Sequence, residues 1–112
     1  MSNFNKVILV GNLTRDPELR YTQAGKAVAR MRLAVNRRWT NDQGESQEET
    51  SFFNVTAFDK QAETVCKYLE KGAPMLVDGR MRSRSYEDAE GNRCESVEVI
   101  LENFQFLPRK GH

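Results

Sequence analysis

The chain has 112 residues, 38% of them hydrophobic and 29% charged, with a formal net charge of +1. That length suits one domain with its own core, and the composition excludes a disordered polymer. No apolar run approaches the roughly 20 residues of a spanning helix, so no membrane partner is expected.

The opening Met-Ser-Asn-Phe-Asn-Lys has neither a signal-peptide layout nor an Arg-rich amphipathic stretch, which predicts a cytoplasmic protein. Cys66 and Cys94 form no C-x-x-C pair, and the single histidine, His112, leaves no zinc set. Both thiols are expected to be reduced, and no cofactor or metal is expected.

Residues 6–13, K-V-I-L-V-G-N-L, form a continuous apolar run, which predicts a strand buried on both faces or at an interface. Asp16-Pro17 breaks the chain, and residues 23–26 read as a turn. From Ala27 the alternation is clean: Ala27, Ala29, Met31, Leu33 and Val35 share one face, Arg30, Arg32 and Asn36 the other. This strand runs into Arg37, Arg38 and Trp39. Residues 40–49 contain no apolar side chain and predict a long connection, mobile or functional.

In the next strand, residues 51–58, Phe53, Val55 and Ala57 take the core face. Phe52, Asn54, Thr56 and Phe58 take the other, which suits a platform better than an interior. Asp59 is a candidate helix cap, and Ala62, Val65, Cys66 and Leu69 follow at i, i+3, i+4 and i+7. Gly72 and Pro74 end that helix. Residues 75–86 return to strand, with Met75, Val77 and Met81 inward and Asp78, Arg80, Arg82, Arg84 and Tyr86 outward. Gly91-Asn92 marks a turn, and Val97, Val99 and Leu101 line one face of a last strand. The order β-β-β-α-β-β predicts an all-β OB-fold: a five-stranded, partly open Greek-key barrel with one short helix between strands 3 and 4.

Four rings, Trp39, Phe52, Phe58 and Tyr86, fall where a strand face or end points outward. Residues 30–38 carry Arg30, Arg32, Arg37 and Arg38 without an acid, and residues 80–84 carry Arg80, Arg82 and Arg84 without one. Exposed rings stack on unpaired bases, and guanidinium groups meet phosphates. The candidate set is therefore Trp39, Phe52, Phe58 and Tyr86 for stacking, with Arg32, Arg37, Arg80, Arg82, Arg84, Lys60 and Lys71 for phosphate. A competing reading places Phe52 and Phe58 in a second hydrophobic layer beneath a loop or partner subunit. Duplex recognition is disfavoured, because the short helix has a mixed outer face of Lys60, Glu63, Lys67, Glu70 and Lys71. With no histidine available for a triad and no Gly-rich phosphate loop, no enzyme is expected.

Residues 5–21, N-K-V-I-L-V-G-N-L-T-R-D-P-E-L-R-Y, resemble the opening of bacterial single-stranded DNA-binding proteins. A-V-A at 27–29, Leu33-Ala34, Trp39, Y-L-x-K-G at 68–72 and the run ending in Arg82-x-Arg84-x-Tyr86 extend the likeness over nearly the whole chain. The resemblance implies a homotetrameric OB-fold that coats single-stranded DNA in replication, recombination and repair, associated with the nucleoid. It implies stacking by Trp39, Phe52, Phe58 and Tyr86, and a subunit contact through Val7, Ile8, Leu9 and Val10. Three of those ring positions are often tryptophan in the enterobacterial proteins; only Trp39 is tryptophan here.

The family usually ends in a Gly/Gln/Pro-rich linker and an acidic tip. This sequence stops at F-L-P-R-K-G-H, so the expectation is an OB domain over 1–107, a short extension over 108–112, and no tail-mediated partner proteins. Two other readings stay open: a dimeric OB-fold primosomal accessory protein and a protein-interaction barrel.

Overall fold

The computed structural model describes residues 2–108, so residues 109–112 of the expected extension lie outside the described residues. Six strands and one helix follow in order: β1 (Val7–Leu13), β2 (Glu18–Tyr21), β3 (Ala27–Thr40), β4 (Ser46–Phe58), α1 (Asp59–Tyr68), β5 (Pro74–Glu87) and β6 (Arg93–Phe106). The sheet runs β1-β5-β6-β4-β3-β2, and β1 also pairs with β3. That additional pairing closes β1, β5, β6, β4 and β3 into the five-stranded OB barrel. All neighbouring pairs are antiparallel except β4 and β6, which run parallel at Val55↔Val99 and Thr56↔Ile100. The expected barrel is thus present, and it is closed.

Period-two alternation explains the core. Ala27, Ala29, Met31 and Leu33 of β3 are buried, as are Val55 and Ala57 of β4 and Met75 and Val77 of β5. Helix α1 covers one end with Ala62, Val65 and the following Leu69. The closing seam needs a residue without a side chain. A Cβ on Gly11 would collide with the backbone carbonyl of Ala34, so glycine is what lets β1 cross β3 closely.

Several local expectations are corrected. Residues 18–21, given no element from the sequence, are the short strand β2; all four are exposed and pair only along the outer edge of β3, so they carry no alternation. Residues 40–49 are not a long mobile connection: β3 continues to Thr40 and β4 begins at Ser46, leaving a tight turn. Asn41 builds that turn, its Oδ1 accepting the N–H groups of Gln43 and Glu45, and Gly44 takes a positive φ of 78°.

Asp59 does not cap α1: it is the helix's first residue, at φ 58°, and Phe58 occupies the cap position without a side-chain hydrogen bond. The helix ends at Tyr68, before Gly72. Met81 is exposed rather than inward, because β5 has no β1 partner beyond Gly79, and Val97 is exposed because the β4–β6 pairing begins only at Val99. Asn5 reaches that hairpin, donating to the carbonyl of Met81 and accepting its N–H.

Candidate nucleic-acid interface

Register builds one outer face from four strands. On β3, Val28, Arg30, Arg32 and Ala34 stand opposite Phe58, Thr56, Asn54 and Phe52 of β4. Directly opposed residues of a pair share a side of the sheet. Buried Met31, Leu33, Val55 and Ala57 hold the other side. Beyond β4 lies β6, whose Glu98 accepts a hydrogen bond from the Thr56 hydroxyl. Beyond β6 lies β5, with Arg82 opposite Glu98, Arg84 opposite Ser96 and Tyr86 opposite Cys94.

The structure therefore brings together Phe52, Phe58, Arg32, Arg82 and Arg84. Phe52 is 51% exposed, and Phe58 is half-buried. Arg32 lies over the Phe52 ring at 4.7 Å from its centroid, and Arg82 over Phe58 at 5.8 Å. These are cation–π distances, so both rings sit beside fixed positive charge.

The other candidates stand apart from this group. Trp39 lies near the tip of the β3–β4 hairpin, half-buried, with Arg37 over its ring at 4.7 Å. It shares the parity of Arg37, not that of Phe52. Tyr86 is 53% exposed on the β5–β6 hairpin, beside Glu87 and Arg93. Lys60 stands on the first turn of α1 in a groove with Tyr21 and Lys26. Lys71 follows α1, where its N–H donates to the Asp16 carboxylate. Neither lysine lines the grooves of the outer face.

The two acid-free arginine stretches are acid-free only along the chain. Across the strands, Arg80 pairs with Glu102 at 3.2 Å, while Arg82 and Arg84 share Glu98 at 3.1 and 3.5 Å. Arg37 pairs with Glu49 and Arg38 with Glu48, each at 3.6 Å. Antiparallel pairing supplies acids distant in sequence, so most of these arginines are compensated in the fold. The exposed pairs among these, Arg80–Glu102, Arg37–Glu49 and Arg38–Glu48, are individually weak, about 0–1 kcal/mol. Among the described residues, Arg15, Arg30 and Arg32 have no acid partner on this face.

Glu98 is the most constrained of the acids, its side chain only 13% exposed. Burial by itself pushes its carboxyl up. Hydrogen bonds from Thr56 and Arg82, with the charges of Arg82 and Arg84, outweigh that and hold it below the ordinary glutamate value. A carboxylate lowered on folding stabilises the fold above its unfolded value and loses that contribution as pH falls through the folded one. The stability difference between wild type and Glu98→Gln is therefore expected to be fullest at neutral pH and to shrink below pH 4.5, the unfolded reference. Urea midpoints of both proteins from about pH 7 to about pH 3 check this; a difference constant with pH would sink it.

Sequence reasoning did not assign Arg15, Asn54, Thr56 or Glu98 to the site's chemistry, and left Arg30 out of the phosphate set. Arg30 was findable, because it shares the outward parity of Arg32. Arg15 carries no periodic signal, and Glu98 becomes visible only through the β5–β6 register. Among the described residues no cluster of His, Cys, Asp and Glu could hold a metal ion, and no helix is long and apolar enough to cross a membrane.

Comparison with known proteins agrees with this geometry. The profile of the single-strand binding protein family matches residues 4–107. Single-stranded DNA-binding protein 1 of Staphylococcus aureus (strain Mu50 / ATCC 700699) is 56% identical over 106 residues, covering 95% of this chain and 67% of that protein. The single-stranded DNA-binding protein of Halalkalibacterium halodurans is 53% identical over 107 residues, covering 96% of this chain and 62% of that protein. The chain thus spans about two thirds of the length of these curated relatives.

Among solved structures, a Plasmodium falciparum SSB complex with ssDNA superposes with a TM-score of 0.89 at 24% identity, covering 96% of this chain and 98% of that one, a likeness of fold. A deletion mutant of the Thermus aquaticus single-stranded DNA binding protein gives 0.85 at 32% identity, covering 96% of this chain and 52% of that one. With its profile matched over residues 4–107 and relatives above half identity, this chain belongs to the single-strand binding protein family.

Proposed function

We propose that this protein binds and protects single-stranded DNA, with little sequence preference, in cytoplasmic replication, recombination and repair at the nucleoid, without turnover chemistry. The observation that carries the reading is the pair of outward rings on β4, Phe52 and Phe58, each beside an arginine on an open sheet face. A ring stacks on any base, and an open face admits an unpaired strand without reading base edges. Trp39 and Tyr86, on the two projecting hairpins, extend the stacking path. Arg32, Arg37, Arg80, Arg82 and Arg84 flank it, and Lys60 and Lys71, off the outer grooves, take a peripheral electrostatic part.

Assembly as a homotetramer belongs to the same reading. Ile8 and Val10 of β1 are 62% and 53% exposed, a surface that a second copy would cover. Molecular mass in solution tests that part; a monomer at micromolar concentration would remove it.

The binding reading predicts that oligo-dT changes the fluorescence of Trp39, the chain's single tryptophan, and that affinity falls as salt rises. A titration with oligo-dT at low and high NaCl checks both. Absence of binding at low salt, together with tight capture by a protein partner, would favour an interaction barrel instead.

A further inference from the structure

The rings Phe52 and Phe58 lie at two ends of one row on β4, and Asn54 and Thr56 fill the row between them. Any strand stacked on both rings carries its backbone across that middle stretch. A groove of about 250 Å³ opens there, lined by Arg15, Arg30, Asn54, Arg84, Ser96 and Glu98 among others.

The cations of this groove fall into two kinds. Arg82, at its edge, and Arg84 are tied to Glu98, so the three groups together present one net positive charge. Arg15 and Arg30 are exposed and have no acid partner among the described residues. Their positions are built rather than incidental. Arg30 stands directly opposite Thr56. Arg15 follows Thr14, whose N–H and hydroxyl both donate to the carbonyl of Arg32, at 2.9 and 3.3 Å, pinning the end of β1 over β3.

We propose that Arg15 and Arg30 form a phosphate-binding subsite for the strand between the two rings, and that Glu98 acts as a positioning residue that tethers Arg82 and Arg84 and withholds one unit of charge from that strand. The phosphodiester is the ligand chemistry, because two guanidinium groups without an ion pair suit an anion beside neutral Asn54 and Ser96, while the nearby carboxylates are already held, Glu98 by Arg82 and Arg84 and Glu18, opposite Arg30, by Arg20. The inference deepens the proposed function and rests on it.

The test is the slope of log K against log salt for oligo-dT. On a single strand each phosphate contact contributes about 0.7 to that slope. Arg15→Ala and Arg30→Ala should each flatten it by about 0.7, and the double variant by about 1.4. Glu98→Gln, which keeps an acceptor for Thr56, should steepen it by about 0.7. Lys67→Ala, on the helix away from the groove, should leave it unchanged.

A double arginine variant with the wild-type slope overturns the subsite. So does a Lys67→Ala variant that flattens the slope as much as Arg30→Ala does. A Glu98→Gln variant with the wild-type slope overturns the role given to Glu98. Wild-type protein that leaves oligo-dT free at low salt overturns the binding reading itself, and the subsite with it.

Discussion

Replacing Phe52 and Phe58 together by alanine weakens oligo-dT binding by about 2–6 kcal/mol, from roughly thirtyfold to beyond ten-thousandfold. Each base–ring stack contributes about 1–3 kcal/mol. The two rings are six residues apart on one extended strand, which places them about 20 Å apart at the usual rise per residue. No single base spans that distance, so the rings hold different nucleotides. Sites that far apart with no shared partner act additively, so the double variant should lose the sum of the two single effects.

Packing must be separated from stacking, because Phe58 is half-buried whereas Phe52 is 51% exposed. Phe58→Leu supplies the separation, since leucine refills most of the space and offers no ring face. It should keep the unfolding midpoint near wild type and still lose most of the Phe58 binding contribution. Fluorescence titration through Trp39 measures wild type, the two single alanine variants, the double variant and Phe58→Leu. A double variant within threefold of wild-type affinity would remove stacking on β4 from the mechanism.

Strand parity, on which this prediction rests, is legible in the sequence. Period two separates the faces of a strand wherever one face is covered. It therefore sorted Phe52 and Phe58 from Val55 and Ala57, and Arg30 and Arg32 from Met31 and Leu33, as the burial confirms. The same rule placed Met81 inward, although it is exposed. Alternation identifies a face but not where the neighbouring strand stops covering it, and β1 pairs with β5 no further than Gly79. Strand β2 escaped because four exposed residues on a sheet edge have no apolar side to reveal them.

The charge reading failed for a related reason. Arg80, Arg82 and Arg84 look uncompensated along the chain, but Glu98 and Glu102 reach them only through register. Register also decides which cations stay unpaired, so Arg15 and Arg30 gain significance only once the barrel is closed. The helix boundary at Asp59 went astray because backbone conformation overrode the side chain's usual capping preference: Asp59 itself takes φ 58°, and Phe58 holds the extended cap position.

Leu33→Ala is expected to destabilise the protein by about 2–5 kcal/mol, the range for deleting a large side chain from a packed core. Leu33 is fully buried, pairs with Leu13 across the β1–β3 seam and stands opposite Phe53 on β4. It packs where Gly11 brings the two backbones together, so backbone contacts restrict how far the seam can collapse into the space left behind. The cost should therefore lie toward the upper part of the range, because cavities that cannot relax are the expensive ones. A domain of this size has a total stability of about 5–15 kcal/mol, so one such change removes a large fraction of it.

The same seam sets the outer face, since Thr14 is bonded to the carbonyl of Arg32 next to Leu33. Below its unfolding transition, Leu33→Ala should still bind oligo-dT with a salt slope close to wild type, because neither a ring nor an outward arginine has been removed. Urea unfolding at one fixed protein concentration, which holds any assembly term constant, measures the first effect. A midpoint shift equivalent to less than about 1 kcal/mol would mean that the seam between β1 and β3 is not closed in solution, and the placement of Arg15 beside Arg30 would fall with it.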